Sequence, residues 1–399
     1  MRLLLHPKGL TLWLLAFGSL GASLPARAQT SSEVARPYAT LDRQSVAYHG
    51  PAVSAEKELS DGAAVIGIIL PLKGAQQTEG KALLAAAQLA IEEEQATGPL
   101  ADGRRVELAA RDESGPWGQA SMEILKLFEQ DHALAILTSA NGTSAHLAEQ
   151  IANKISVPIL TLASDPTTTE ANVPWLFRIG PSDTDQARAF CRHIYGDLRL
   201  RKVLLVEQAD HDGRTGGAEF EKAANAANAP APLRVEVTDS SETLESLREL
   251  LQKNEPDAVV VWSDAPVADT ILALIEKVRP STPVFLCRKA AQLRTAGTNS
   301  GESFTIDSQT SDHAGNRKKF QPAYFARTGT NPGMGANEVY QAVHTVAAAL
   351  RTTGVNRVLL RDSLANGNKQ HEPANLLTFD PAGNSLQEFA VVKLENAKP

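Results

Sequence analysis

The sequence predicts an α/β protein made of two doubly wound parallel-sheet lobes. Short apolar runs alternate with helical segments over most of the chain, and this alternation begins again near the middle. Strands that are apolar along their whole length are typical of parallel sheets covered by helices on both faces. The chain has 399 residues, 43% of them hydrophobic, which is enough for two domains with separate cores.

The first run of alternation begins with the strand VIGIIL, residues 65–70. The segment after it has apolar residues at helical spacing, namely Leu83, Leu84, Ala87 and Ile91. The remaining elements of this run are predicted as a strand, a helix, a strand, a helix and a strand: RRVELAARDE, GQASMEILKLFEQ, ALAILTS, SAHLAEQIANKI and VPILTLAS. The turn LKGAQQTEG lacks the glycine pattern of a dinucleotide site. Its backbone amides and helix start suit an anionic head group, but the turn could equally be a plain strand-to-helix connection.

The second run follows FRIGPSDTD and starts with a helix, after which strands and helices alternate again. Its elements are DTDQARAFCRHIYGDL, KVLLVEQ, GGAEFEKAANAA, LRVEVTD, ETLESLRELLQKN, DAVVVWSD, VADTILALIEKV and PVFLC. Beyond Gly301 the pattern changes to an extended segment, a strong helix and a hairpin, which are SFTIDSQTS, NEVYQAVHTVAAALR and LLTFDPAGNSLQEFAVVKL. These pieces complete the two lobes and do not form a third domain.

Residues 1–28 have the pattern of a secretory signal peptide cleaved after Ala28, which predicts a periplasmic protein. A basic start with Arg2 and Lys8 precedes a short apolar core, and Ala26-Arg27-Ala28 supplies small residues at the cleavage site. The alternative is an uncleaved anchor helix, although the core is shorter than the roughly 20 residues that span a bilayer. Residues 29–61 have little periodicity and are predicted to be an extension or linker.

The charge and the cysteine content exclude some classes of protein. Loss of the three positive charges of the signal peptide from the formal net charge of -7 leaves about -10, which argues against nucleic acid as a partner. Cys191 and Cys287 are the two cysteines, so this is not a disulfide scaffold. They either form one disulfide or serve as two buried small residues.

Four segments together resemble the type I periplasmic binding proteins, in particular the leucine/isoleucine/valine- and amide-binding family. They are VIGIILPLKGAQQTEGKALLAAAQLAIEEE, ILTSANGTSAHLAEQIANKISVPILTLASDPTTT, FRIGPSDTDQA and LLTFDPAGNSLQEFAVVKL. The resemblance implies two lobes joined by a three-strand hinge, with crossings near 178–181, 303–307 and 366–374. Lobe I would comprise 62–180 and 307–368, and lobe II 181–306 and 369–399.

The resemblance also implies ligand-binding residues in the first lobe. In the family, a hydroxyl residue in one turn and an Ala-Ala-Thr-like tripeptide in the next hold the carboxylate and backbone of an amino acid. Leu162, Ala163 and Ser164 take the positions of the tripeptide, and Asn141 that of the hydroxyl residue. Both Ser164 and Asn141 can donate a hydrogen bond, although serine and asparagine are also common in turns for local reasons.

The second lobe departs from the family pattern and predicts a more polar ligand. Asp212 and Asp264 stand where aromatic residues are usual, Arg288 lies near the expected acidic partner of the ammonium group, and Glu79 replaces an aromatic residue of the first lobe. Each could also be a solvated loop charge. If the loops close on a ligand, Asp212 or Asp264 would pair with its amine and Arg288 would bridge them or meet an anion, because a buried charge must be paired.

Three functional interpretations follow, all without a cofactor. The first is a monomeric solute receptor that binds a small-molecule ligand and delivers it to an ABC permease in the inner membrane. The second keeps the fold but makes the protein a ligand sensor or envelope regulator. The third, an exported hydrolase, finds no support in the motifs: the sequence has no nucleophile elbow, no Walker loop and no histidines at metal-ligand spacing, so it predicts neither catalytic residues nor a metal site.

Overall fold

The computed structural model describes residues 62–116, 118–171, 173–238, 240–291, 301–308, 311–366 and 376–394, and for 311–317 only the backbone. The predicted signal peptide and extension, residues 1–61, lie outside the described residues. So does most of the predicted third crossing at 366–374. Both predicted lobes are present, one built on a sheet of five strands and the other on a sheet of six.

The first lobe contains a parallel sheet with the strand order β2-β1-β3-β4-β5. Its strands are β1 (Ala64–Leu70), β2 (Val106–Asp112), β3 (Ala135–Thr138), β4 (Ile159–Thr161) and β5 (Leu176–Arg178). The helices that connect them are α1 (Gln77–Thr97), α2 (Gln119–Glu129), α3 (Gly142–Ile155) and the short α4 (Thr167–Glu170).

The second lobe has the strand order β11-β10-β9-β8-β6-β7, in which only β11 runs antiparallel to its neighbour. Its strands are β6 (Val203–Gln208), β7 (Leu233–Val237), β8 (Ala258–Trp262), β9 (Val284–Leu286), β10 (Ser303–Ser308) and β11 (Phe389–Lys393). Its helices are α5 (Asp183–Cys191), which continues as the π-helix Arg192–Asp197, α6 (His211–Ala226), α7 (Ser241–Asn254) and α8 (Ala265–Val278).

Three later helices return to the first lobe: α9 (Ser311–Thr328), α10 (Ala336–Thr353) and α11 (Arg357–Asn366). Phe320 and Tyr324 of α9 are buried in its core with much of α10. The sequence pattern predicts α10, which is apolar on most of its surface, but not α9 or α11. Helix α9 begins with polar residues and contains Pro322, which normally disfavours a helix interior, and α11 is short.

Helices cover both faces of each sheet, as the apolar strands predict. In β1, Ile66 and Ile68 belong to the cluster shared with α1 and α10, whereas Ile69 faces the cluster shared with α2 and α3. A separate cluster fills the second lobe. Each lobe therefore has a core of its own. Burial of each aliphatic side chain in these cores stabilises the folded state by about 1.5–3 kcal/mol relative to exposure.

The chain passes between the lobes at three places. It leaves β5 at Arg178 and enters α5 at Asp183, and it leaves β10 and returns to the first lobe with α9. Phe379 still packs in the core of the first lobe, whereas β11 belongs to the second sheet. The predicted C-terminal hairpin is therefore divided, with only its second arm in the sheet of the second lobe.

Cys191 and Cys287 are both free and buried, which agrees with their interpretation as small buried residues. Burial raises the pKa of each thiol to about 12. Among the described residues, no helix is both long and apolar enough to cross a membrane.

Candidate ligand site between the two lobes

Loops at the carboxyl ends of the two sheets contact each other across a cleft. The Gly142 backbone N donates to Asp212 Oδ2 at 3.3 Å, and His211 Nε2 lies 2.7 Å from Asp165 Oδ2. In each pair the first lobe and the second lobe supply one residue. Ligands of open α/β sheets bind beyond the carboxyl ends of the strands, so this cleft is the candidate ligand site.

Three helices that begin at the cleft are capped by polar side chains. Asn141 Oδ1 accepts from the Ser144 backbone N at 2.8 Å, and Asp264 Oδ1 accepts from the Val267 backbone N at 3.1 Å. Asp210 caps α6 in the same way. Asparagine and aspartate are preferred caps because they satisfy backbone N–H groups that the first turn leaves without partners. Asn141 and Asp264 therefore have a structural role as helix caps, whether or not they also bind a ligand.

Gly142 allows the start of α3 to approach the second lobe closely. A Cβ atom at this position would lie 2.4 Å from Asp212 Oδ1, well inside van der Waals contact. The backbone of Gly142 is not in the left-handed region, so the requirement for glycine here comes from space and not from φ. This contact depends on the lobes being together.

Asp212 is paired with a lysine of its own lobe. Lys289 Nζ lies 2.5 Å from Asp212 Oδ2, and both side chains are largely buried. Burial lowers the pKa of Lys289, but the charge of Asp212 and its hydrogen bond more than offset this, with further contributions from Asp210 and Glu79. Lys289 is therefore positively charged, and its charge offsets the negative charges of the three acids around it.

Arg288 forms an ion pair across the cleft. Its Nη2 lies 2.6 Å from Oε1 of Glu338, in the first turn of α10; the Glu338 side chain is buried and that of Arg288 largely so. The Arg288 backbone N donates to Gln186 Oε1 at 2.9 Å. Nη1 of the same guanidinium is buried and finds no hydrogen-bond partner in the described part of the chain.

Two further carboxyl groups near the cleft have raised pKa values. Burial raises the pKa of Asp183 to about 7, although hydrogen bonds from Ser164 and Trp262 oppose the shift. The Trp262 Nε1–H donates to Asp183 Oδ1 at 3.0 Å. Burial likewise raises the pKa of Glu113, whose Oε2 has no partner among the described residues. Burial therefore makes both carboxyl groups easier to protonate than in water, and a protonated carboxyl can donate a hydrogen bond.

Two histidines converge on a single carboxylate at the edge of the cleft. His146 Nε2 and His211 Nε2 lie 2.9 and 2.7 Å from Asp165 Oδ2. Hydrogen bonds to Asp165 and Glu149 raise the pKa of His146 to about 9. Sequence spacing gave no sign of this cluster, because the three residues are far apart in the chain and only the closed cleft brings His211 to the other two.

The profile of the periplasmic binding protein family matches residues 64–394. The chain belongs to this family. The match confirms the resemblance seen in the sequence and the fold class of two doubly wound lobes. Because the family consists of solute-binding proteins, it also agrees with the prediction of a protein that is not an enzyme.

Solved structures of other family members share the fold of this periplasmic binding protein. The branched-chain amino acid transporter substrate binding protein LivJ from Streptococcus pneumoniae, in complex with isoleucine, has a TM-score of 0.72 at 20% identity and covers 84% of this chain and 97% of its own. The leucine binding protein LivK from Thermotoga maritima has a TM-score of 0.73 at 17% identity, with 84% and 97% covered. A solute binding protein from Rhodopseudomonas palustris, in complex with 3,4-dihydroxy benzoic acid, has a TM-score of 0.71 at 20% identity, with 83% and 93% covered.

One curated relative is an amino acid binding protein from Pseudomonas aeruginosa. It is 27% identical over 151 residues, which is 38% of this chain. The match spans 40% of the relative's length. Both this identity and those of the solved structures are too low to transfer a ligand, so the binding residues must be judged from the geometry of this periplasmic binding protein.

The predicted site residues fall into separate groups in this periplasmic binding protein. Asn141 and Asp264 line a cavity of about 430 Å³ between the lobes. Leu162, Ser164 and Arg288 line a second one of only about 30 Å³. A space of 30 Å³ suits about one water molecule and not an amino acid. The family positions at Leu162 and Ser164 are therefore closed over in this arrangement.

The other three predicted residues line neither of these two cavities. Ala163 is buried, and its carbonyl accepts from Arg178 Nη1 at 2.7 Å. Glu79 is buried in the first turn of α1 and interacts electrostatically with Lys289. Asp212 forms the ion pair with Lys289 described above.

Sequence reasoning missed several cleft residues. Glu113 directly follows strand β2, at the carboxyl end of the sheet where ligands bind, so its position in the sequence could have identified it. Glu338 is a buried acid in the first turn of a helix whose buried residues are mostly apolar, and acidic side chains are rarely buried unless they are paired. Asp183 and Lys289 gave weaker signals, because polar residues in turns are ordinarily solvated.

Proposed function

We propose that this protein is the solute receptor of an ABC importer and that it captures a small polar ligand, amino-acid- or amide-like, between its lobes. The observation that carries the proposal is the cavity of about 430 Å³ at the carboxyl ends of β1, β2 and β3, to which the second lobe contributes Asp264. Pockets for small molecules are usually about 300–1,000 Å³. A ligand in this cavity would touch both lobes.

The lining of this cavity favours a polar ligand with an amine or amide group. Asp264 uses Oδ1 as a helix cap, which leaves Oδ2 for a ligand donor. Glu113 supplies another oxygen, and its Oε2 has no described partner. Asn141, Ser144 and the turn at Ala75 and Gln76 complete the polar wall. We propose Asp264 and Glu113 as partners of the ligand amine or amide, and Asn141 as a contact of its carbonyl or carboxylate end.

Two other predicted residues, Asp212 and Arg288, act in closing the lobes. Asp212 and Arg288 are already paired with Lys289 and Glu338, so a ligand need not neutralise them. Domain closure around a ligand is the usual motion of this fold. A ligand favours closure only through contacts that the open form lacks, and Asp264 can supply such a contact because it belongs to the second lobe.

The proposal is tested by a thermal-shift screen of amino acids, amides, polyamines and small aromatic acids, followed by calorimetry. A ligand that carries an amine or amide should raise the melting temperature in proportion to its excess over the dissociation constant. Asp264→Asn keeps the helix cap, because asparagine caps as well as aspartate. It removes a charged hydrogen bond and should weaken binding by about ten- to a hundredfold.

Glu249→Gln is the matched control, because Glu249 is exposed on α7 and its neutralisation should leave affinity unchanged. The assignment of the cavity is wrong if a verified ligand binds Asp264→Asn and Asn141→Ala as tightly as the unaltered protein. Uptake of the labelled ligand by cells with and without the gene then separates an importer receptor from a sensor, since only the former is needed for uptake.

A further inference from the structure

We propose that His146, Asp165 and His211 form a transition-metal site, suited to Zn²⁺, that joins the two lobes. Their ligand atoms all lie within 4.8 Å of one another. His146 and Asp165 belong to the first lobe, on α3 and after β4, whereas His211 is the first residue of α6 in the second lobe. The inference does not depend on the identity of the transported solute.

Asp165 presents one oxygen to both histidines. Its Oδ1 accepts from the Thr167 backbone N at 2.9 Å and from Thr167 Oγ1 at 2.7 Å. These two bonds hold the carboxylate in place and occupy that oxygen. The other oxygen, Oδ2, therefore points toward His146 Nε2 and His211 Nε2, which lie 2.9 and 2.7 Å away.

His146 is oriented as histidine ligands of metals usually are. Its Nδ1 lies 3.2 Å from Glu149 Oε2, while Nε2 points to Asp165. A carboxylate on the far nitrogen fixes the ring and leaves Nε2 as the ligand atom. The rings of His146 and His211 are nearly perpendicular, at 81°, with their centroids 5.7 Å apart, so the two imidazoles approach the same point from different directions.

Movements of at most about 1.5 Å would bring the three ligand atoms, which lie within 4.8 Å of one another, to coordination distance. Zinc bonds of about 2.0–2.2 Å in a tetrahedral site place the ligand atoms about 3.3–3.5 Å apart. The distances from Asp165 to the two histidines must therefore lengthen by about half an ångström, as the ion takes the place of the shared protons. Two imidazoles and one carboxylate suit zinc and neighbouring transition metals better than Mg²⁺ or Ca²⁺.

Solvent can reach this cluster. The His211 side chain is 46% exposed and that of His146 30% exposed, whereas Asp165 is buried at 2%. Three protein ligands also leave a coordination position for water or a solute. Because His211 comes from the opposite lobe, binding of the ion favours the closed arrangement of the cleft.

The site is tested with protein purified without a histidine tag, stripped with a chelator and titrated with Zn²⁺ by calorimetry. We expect one Zn²⁺ per chain with micromolar or tighter affinity. His146→Ala and His211→Ala should each weaken binding at least tenfold, and Glu149→Gln should weaken it by about tenfold through the lost support of His146. His132→Asn is the control, because His132 is exposed and asparagine tolerates its left-handed backbone.

Small-angle scattering separates a site that joins the lobes from one confined to the first lobe. Addition of Zn²⁺ should reduce the radius of gyration of the unaltered protein but not that of His211→Ala. Thermal melting without metal checks that each variant is folded. The proposal is overturned if the protein binds no Zn²⁺ at micromolar concentration, or if His211→Ala and His146→Ala bind it as tightly as His132→Asn.

Discussion

Arg288 of the second lobe and Glu338 of the first form a buried ion pair across the cleft, with Nη2 and Oε1 2.6 Å apart. Buried pairs of this kind stabilise little in themselves, because desolvation offsets much of the attraction. Loss of one partner, however, leaves an uncompensated buried charge. The closed arrangement of the lobes therefore requires both Arg288 and Glu338, because either residue alone would be an unpaired charge in the closed cleft.

Glu338→Gln should shift the protein toward the open form. The substitution leaves the Arg288 guanidinium without its acid, at a cost of about 3–5 kcal/mol if it stays buried, so the lobes reduce this cost by separating. We expect a larger radius of gyration in scattering and at least tenfold weaker ligand binding.

Glu302→Gln is the matched control for Glu338→Gln, because Glu302 pairs with Lys393 on the exposed surface, where an ion pair contributes little. The double variant Glu338→Gln with Arg288→Gln removes both buried charges and should recover part of the lost closure. If Glu338→Gln and Glu302→Gln give the same scattering curve, the pair has no role in closure.

Gly142→Ala should block complete closure while leaving the first lobe folded. The added Cβ would lie 2.4 Å from Asp212 Oδ1, so either the lobes stay further apart or Asp212 must leave its positions against Gly142 and Lys289. Gly142 is the first residue of α3 and has a backbone outside the left-handed region, so alanine fits the helix itself without strain. We therefore expect an unchanged or higher melting temperature without ligand and a smaller compaction when ligand is added.

Gly196→Ala serves as the control for Gly142→Ala, since no atom lies within 4 Å of a Cβ at Gly196. Equal compaction of the two variants on ligand binding would mean that closure does not bring Gly142 against Asp212.

The fold was more predictable from the sequence than the site. The apolar strands are local features, and buried strands such as β8 and helices such as α10 were correctly predicted because their own residues determine them. The predicted terminal turn also forms, with the Gly383 backbone N donating to the Asp380 carbonyl, but its position in the fold was not predicted. Its residue Asn384 lies beside Arg178 of β5, far away in the sequence, and a turn pattern carries no information about such a distant neighbour.

The polar contacts of the cleft depend on pairs that local patterns do not reveal. Asp212 stands out in the sequence as a charge where the family has an aromatic residue, but its partner Lys289 is 77 residues away. Distance along the chain is also the reason why the sequence did not predict that His146 and His211 both contact Asp165. A charge in a turn is usually solvated, so the sequence can suggest candidates but cannot say which of them neutralise each other.

Arg178→Met should destabilise the hinge. The Arg178 side chain is buried, and its guanidinium donates to the Ala163 carbonyl at 2.7 Å, to Thr169 Oγ1 at 2.8 Å and to Asn384 Oδ1 at 3.1 Å. Methionine fills similar space but leaves these acceptors without donors, which should reduce the free energy of unfolding by about 3 kcal/mol or more.

Denaturant unfolding measures the effect of Arg178→Met, with Arg188→Met as the control because Arg188 is exposed. Equal midpoints for the two variants would contradict a structural role for the buried guanidinium.

Asp183 should make stability fall as the pH rises from about 4 to 7. Burial raises the pKa of its carboxyl to about 7, whereas an aspartate in an unfolded chain has a pKa of about 3.9. Between these values the folded protein holds a proton that the unfolded chain has lost, so each increase in pH favours unfolding until the folded carboxyl also ionises.

Asp183→Asn removes this proton equilibrium and retains an oxygen that can accept from Trp262 Nε1. The difference in unfolding free energy between variant and unaltered protein should therefore grow in favour of the variant across this range, by about 4 kcal/mol at most, and then level off above pH 7. Parallel denaturant-unfolding curves for the two proteins from pH 4 to 8 would show that Asp183 ionises at its ordinary pKa.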